Sequence, residues 1–341
     1  MADYEISSNF NEKYSIVTRK IIHALSTDGR ISVSDIAQAS GVSRRTVKSK
    51  IERLEKELGL HYTAEFDEKR LGLTNPHLVM VKFLKKPQPE KLTEALRKSY
   101  VPQFAAMTKG DFDMIISTNS FASRDYAHWD KGMQILLSEY GVSWHTSEIV
   151  HSQLGFYPIR DEVIDRLNVK ERHKSILKAL NGNGRIQLNK LAKALGTNAS
   201  TVAYSLEYLK KEGYIKRFTI TMEPPKDISF TAFFSKYSPS KGYEASSAMA
   251  RKAFMYDDKN PLISRFVICS ALIGSYDFFT LSAYDSPEAA YAHNIKYHKE
   301  SFRNQGLHLE HAQVEKVILG KLPIRSIEAA KEYRLLKWDE E

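Results

Sequence analysis

Apolar residues recur at helical spacing along residues 33–58, VSDIAQASGVSRRTVKSKIERLEKEL. Val33, Ile36 and Ala37 form one short stripe, and Val47, Ile51, Leu54 and Leu58 form another on a following helix. Gly41 lies between them, where a turn needs a positive φ, and Ser43 is placed to cap the following helix by accepting an orphan backbone N–H. With Val47 turned inward at ~100° per residue, Arg45, Ser49 and Glu52 fall on the opposite face, flanked by Arg44 and Lys48. This is the layout of a helix-turn-helix, whose second helix presents its N-terminal residues to the major groove of double-stranded DNA.

The pattern returns further along. Residues 17–63 and 172–219 align at an offset of 155, which places Gly29-Arg30-Ile31 on Gly184-Arg185-Ile186. At the same offset Ile36 meets Leu191, Ala37 meets Ala192, Gly41 meets Gly196, Thr46 meets Thr201, Val47 meets Val202 and Leu54 meets Leu209. The agreement holds the core and the turn, which a repeated fold requires. A helix precedes each pair, carrying Ile21, Ile22 and Leu25 or Ile176, Leu177 and Leu180. β-prone sequence at 60–66 and 214–222 follows, so each half is expected to open with a winged helix-turn-helix.

Alternation then takes over. The spacing predicts a strand at 77–84, a helix at 89–99, strands at 101–108 and 112–119 joined at Lys109-Gly110-Asp111, a helix at 122–140 and a strand at 143–153. The second half is expected to give strands at 228–237, 264–273, 277–284 and 307–318, with helices around 244–256 and 287–303. The order βαββαβ is that of a ferredoxin-like sandwich. The fold class expected is therefore α+β, in two tandem copies of a winged helix-turn-helix followed by a ferredoxin-like domain. The boundaries expected are 1–66, 67–160, 161–222 and 223–325, with a charged C-terminal tail at 326–341.

Composition narrows the partners. The chain has 341 residues and a net charge of +9, which favours an anionic partner such as nucleic acid. A single cysteine, Cys269, allows no internal disulfide and suits a reducing compartment. No apolar run is long enough to span a membrane, and the start, MADYEISSNFNEKYS, is unlike a signal peptide. A cytoplasmic location without membrane contact is expected.

These elements, in this order and twice over, resemble the Lrp/AsnC (feast/famine) transcriptional regulators. Residues 59–73, GLHYTAEFDEKRLGL, resemble that family's linker, and KGDFD (109–113) and GSYD (274–277) resemble its G-x-[YF]-D hairpin. The resemblance implies a DNA-binding regulator, with an amino acid or similar effector held at the hairpins of regulatory (RAM-type) domains. It also implies regulatory domains that pair through their sheets, as an internal pseudo-dimer or between chains.

The candidate DNA-binding residues are Ser43, Arg44, Arg45, Thr46, Lys48 and Ser49 in the first half and Asn198, Ser200, Thr201 and Tyr204 in the second. The second helix lacks both arginines, and its positive charge returns only at Lys210, Lys211, Lys216 and Arg217. The effector candidates are Gly110, Asp111, Asp113, Gly274, Ser275 and Asp277. Glycine lets a ligand approach the backbone, and an aspartate suits an α-ammonium group. His308 and His311 are expected on opposite faces of one strand, with Glu310 beside His308 only, so no metal site is expected. Nor is any cofactor expected, in the absence of a P-loop, nucleophile elbow or dinucleotide fingerprint. Siroheme decarboxylases resemble the same architecture. The strands before the hairpins, SRFVICSALIGSYD and VPQFAAMTKGDFD, carry no histidine, so the chain is expected not to be an enzyme. A ligand sensor acting through protein partners is the remaining alternative.

Overall fold

The computed structural model describes residues 16–152, 159–221, 229–236, 266–284, 286, 288–292 and 308–321. Residues 153–158, the second-half helices expected around 244–256 and at 287–303 (all but 288–292), and the tail at 326–341 lie outside the described residues.

The first helical unit consists of α1 (Ile16–Thr27), α2 (Val33–Ser40) and α3 (Arg44–Leu58), followed by β1 (His61–Phe66). Ile21, Ile22, Leu25, Ile36, Val47, Ile51 and Leu54 are buried together, as their spacing requires. β2 (His77–Phe83), α4 (Pro89–Arg97), β3 (Pro102–Gly110), β4 (Met114–Thr118), α5 (Ser123–Leu137) and β5 (Val142–Ser152) complete the first half. A short helix, α6 (Asp161–Asp165), leads into α7 (Glu171–Gly182), α8 (Leu188–Ala194) and α9 (Ala199–Lys211). The remaining strands are β6 (Ile215–Thr221), β7 (Ser229–Lys236), β8 (Phe266–Gly274), β9 (Phe278–Tyr284) and β10 (His308–Leu319).

The β-prone segments that follow the helical units pair with each other. β1 and β6 form an antiparallel two-stranded sheet, with Thr63 opposite Thr219. Each strand also packs on the other half's helices. Ile220 of β6 is buried in the core of α1–α3, whereas Ala64 and Phe66 of β1 join the core that contains Ile176, Leu177, Val202 and Leu209. The two wing strands are exchanged, so neither helical core is complete within its own half.

Where two ferredoxin-like sheets were expected, pairing within the chain or between chains, the structure shows a single closed barrel. Eight strands close into one barrel in the order β10-β3-β4-β2-β5-β8-β9-β7. Each half contributes four adjacent strands, and the joints are β3–β10 and β5–β8. Sequence alternation assigns the faces of a strand but not its edge partners. Closure removes the unpaired edges that two open sheets would leave. Inside, Leu78, Met80, Phe104 and Ile115 meet Phe230, Phe234, Leu272, Phe279 and Leu281. The outward face of the first half's sheet packs Val79, Val81, Met114 and Ile116 with Leu92, Leu96, Trp129 and Met133 of α4 and α5.

Candidate nucleic-acid interface

Local chemistry sets the reading helix in place. Ser32 caps α2 by accepting from the Asp35 N–H, and Gly41 ends that helix at φ 71°. No atom lies within 4 Å of a Cβ built on Gly41, so the positive φ alone calls for glycine. Ser43 caps α3, accepting from the Thr46 N–H at 3.1 Å, and its hydroxyl also lies 2.9 Å from that of Thr46. Ser43 and Thr46 therefore form the helix start, and Arg44, Arg45, Lys48 and Ser49 are the exposed residues beside them. None of these four bonds to the described remainder of the chain.

The second unit repeats the scaffold with different chemistry. Gly196 turns at φ 61°, and Asn198 caps α9 by accepting from the Thr201 N–H at 2.8 Å. Ser200 donates its hydroxyl to the Asn198 side-chain oxygen at 2.7 Å. Ala199 and Ala203 stand where Arg44 and Lys48 stand in the first unit, and Tyr204 is 73% exposed. The cations expected to restore charge are mostly engaged elsewhere. Arg217 pairs with buried Glu65 at 2.6 Å, Lys210 with Glu207 at 3.1 Å, and Lys216 lies 3.9 Å from Asp67, so of these four Lys211 alone has no ion-pair partner among the described residues.

The two units are locked to each other through the tripeptides that align in sequence. The Gly29 N–H donates to the Phe218 carbonyl and the Gly184 N–H to the Tyr62 carbonyl, each at 2.9 Å. Arg30 lies over the Phe218 ring at 4.2 Å and Arg185 over the Tyr62 ring at 4.3 Å. Burial beside Arg185 pushes the Tyr62 hydroxyl up to about 12, the burial outweighing the nearby cation. Sequence reading aligned these arginines but gave them no role. Their recurrence within an otherwise charge-divergent repeat was the available signal.

The hairpins hold the barrel together in the same reciprocal way. Gly110, at φ 138°, lies against β10, where a Cβ would meet the His311 carbonyl oxygen at 2.5 Å. Gly274, at φ 134°, lies against β5, with the Thr146 carbonyl oxygen 2.9 Å from a built Cβ. Lys82 and Lys236 donate to the Gly110 and Gly274 carbonyls at 2.7 and 2.9 Å. The aromatic residues of the two hairpins, Phe112 and Tyr276, meet edge to face at 5.9 Å.

The candidate effector aspartates separate into different roles. Asp113 is buried, accepts from the Phe83 N–H at 3.0 Å and pairs with Lys86 at 3.0 Å and Lys82 at 3.4 Å. Burial alone would raise its carboxyl, but the Phe83 N–H and the two lysines overcome that and hold it below the usual range. Asp111 is the more open of the two. It accepts from the His311 N–H at 2.7 Å and lies 3.3 Å from the His311 ring nitrogen. In the second hairpin the Ser275 hydroxyl donates to the Thr146 carbonyl at 3.2 Å, and the Asp277 N–H donates to the Ser235 carbonyl at 2.9 Å. Glu310 accepts from the Tyr276 hydroxyl and sits 3.0 Å from His308, which places His308 and Glu310 on one face as expected.

An AsnC-type helix-turn-helix domain matches residues 18–55, and a winged helix-turn-helix DNA-binding model matches residues 170–216. No curated protein sequence matches the chain. Among solved structures, the siroheme decarboxylase NirDL superposes with TM-score 0.58 at 14% identity, covering 93% of this chain and 98% of that one. The same enzyme in co-complex with an iron-uroporphyrin III analogue gives TM-score 0.53 at 14% identity, covering 93% and 96%. The leucine response regulatory protein LrpA of Mycobacterium tuberculosis matches with TM-score 0.33 at 20% identity, covering 43% of this chain and 97% of that one. The chain thus carries DNA-binding helix-turn-helix domains of the kind found in transcriptional regulators. The expectation that it is not an enzyme is overturned, because the full-length fold is shared with an enzyme. Histidines missing from the two strands before the hairpins are no ground for excluding catalysis, since a shared scaffold can carry its chemistry on other residues.

Proposed function

We propose that the chain is a sequence-specific transcriptional regulator, a tandem form of the Lrp/AsnC architecture that presents both helix-turn-helix units from one polypeptide. The observation that carries this reading is the trio Arg44, Arg45 and Lys48, exposed at the start of α3 and without an ion-pair partner among the described residues. Arginine and lysine there are suited to guanine edges and phosphates in the major groove. The exchanged wing strands support the reading by fixing one helical unit against the other. The barrel supports an internal pseudo-dimer of two ferredoxin-like halves, each with four adjacent strands.

An amino-acid effector would enter at Asp111, whose side chain is 44% exposed, while Asp113 serves the fold. The test is retention of genomic DNA fragments by the purified full chain across a salt series, with and without amino acids. Selective retention with a steep salt slope is expected. Weak retention indifferent to sequence overturns the reading.

A second reading has the full-length fold match in its favour: a decarboxylase acting on the carboxylate arms of a tetrapyrrole, as siroheme decarboxylase does by name. Incubation of the chain with siroheme, followed by mass analysis of the pigment, distinguishes the two. Loss of carboxyl groups establishes catalysis, and an unchanged pigment removes it.

A further inference from the structure

We propose that the chain reads an asymmetric DNA site, in which the first helix-turn-helix specifies bases and the second holds only the phosphate backbone, mainly through Lys190 and Lys193 of α8. This rests on the regulator reading above and assigns the two units different tasks.

The first observation is what α9 lacks. Side chains that discriminate a base pair do so with paired donors and acceptors, above all Arg or Lys on guanine and Asn or Gln on adenine. At the positions of Arg44, Arg45 and Lys48, α9 carries Ala199, Ser200 and Ala203. The alanines have no side-chain donor or acceptor. The Ser200 hydroxyl donates to Asn198 at 2.7 Å, and the same Asn198 oxygen accepts from the Thr201 N–H at 2.8 Å. The oxygen of the one amide at the helix start is therefore engaged in capping, which removes the acceptor that a paired contact to adenine needs.

The second observation is where the charge has moved. In a helix-turn-helix the first helix of the pair crosses the sugar–phosphate backbone while the second enters the groove. In the first unit that crossing helix, α2, carries Asp35 and Gln38, and in the second unit the aligned positions of α8 are Lys190 and Lys193. Both lysines are exposed, and neither has an ion-pair partner among the described residues. Exposed Tyr204, where the first unit has Ser49, adds a hydroxyl of the kind that bonds phosphate oxygens. One unit thus has cations at the start of the reading helix and an acid on the crossing helix. The other has cations on the crossing helix and neutral residues at the start of the reading helix.

Selection of binding sites from a random duplex library by the full chain tests this, followed by affinity measurement against salt for Lys190→Ala/Lys193→Ala and for Ser200→Arg. The selected motif is expected to carry sequence information on one side only. The double variant should lose affinity by a similar factor on every duplex, with the log–log salt slope shallower by about 2 and the selected motif unchanged. Ser200→Arg should add base preference on the silent side. A palindromic motif with equal information in both halves overturns the proposal, as does unchanged affinity in the double variant or a shift in its preferred bases. No binding of any duplex by the unmodified chain overturns the regulator reading as well.

Discussion

Arg30 and Arg185 bind the same turn in opposite halves of the chain. Arg30 Nε donates to the Gly184 carbonyl at 2.7 Å and its Nη2 to the Ile186 carbonyl at 3.3 Å. Arg185 Nε donates to the Gly29 carbonyl at 2.5 Å and its Nη2 to the Ile31 carbonyl at 2.7 Å. Each guanidinium also covers an aromatic ring of a wing strand, Phe218 or Tyr62. The reciprocal pair ties the helical units together where the exchanged strands meet.

Removing either arginine should loosen that joint. Arg185→Ala deletes both carbonyl contacts and the ring contact, and hydrogen bonds from a charged group contribute ~1.5–3 kcal/mol. A loss of about 2 kcal/mol in urea unfolding is expected, together with weaker DNA binding as the units lose their fixed spacing. An unchanged unfolding midpoint would show that the strands alone hold the joint.

Gly184 makes a sharper test of the exchange. Its Cβ would fall 2.4 Å from the Thr63 carbonyl oxygen, an atom of backbone that cannot step aside. Gly184→Ala is expected to part β1 from β6 and lower the melting temperature. Gly182→Ala, with nothing within 4 Å of its Cβ, serves as the matched control and should not. Equal melting of the two variants would contradict the close docking.

Under the regulator reading, base readout is expected to concentrate on Arg45. Arg45→Ala should cost ~1–3 kcal/mol of discrimination on the preferred duplex, roughly a fivefold to hundredfold loss, and much less on scrambled sequence. Lys210→Ala, whose ammonium already pairs with Glu207, should leave binding almost unchanged. Survival of both affinity and preference in Arg45→Ala would remove α3 as the reader.

Two carboxylates should give opposite pH responses. Asp113 is held below its ordinary value, so its contribution is present above about pH 4 and is lost as pH falls through the lowered folded value. Asp113→Asn should therefore destabilise the barrel at neutral pH, by about 2 kcal/mol for charge-assisted bonds of this kind, and flatten the acid limb. Glu68, beside Asn119, is raised by burial, and its neighbours Asp67 and Glu65 add to the rise, so ionising it opposes folding as pH climbs through that raised value. Glu68→Gln should be neutral in acid and stabilising at neutral pH, as read from unfolding midpoints across the range. The reverse order would show that Glu68 is ionised and bound.

Sequence spacing was enough for the local elements. Val47, Ile51 and Leu54 at helical steps, Gly41 at a turn and Ser43 at a helix start are local patterns, and local patterns are written in adjacent residues. The hairpins around Gly110 and Gly274 were legible for the same reason. So was the divergence of the two reading helices, because aligned positions can be compared without any structure.

What pairs with what was decided by the tertiary fold. Alternation in residues 77–84 says which side chains share a face, but it is silent about whether β3 and β5 remain edges or meet β10 and β8. The same limit hid the wing exchange, in which Ile220 completes a core built from Ile21 to Leu60, far away in sequence. It also hid that Asp113 would be buried against Lys82 and Lys86 while Asp111 stayed open beside His311. Those outcomes depend on long-range closure, where the burial of apolar faces and the pairing of backbone edges act together across both halves. No window of neighbouring residues contains that information.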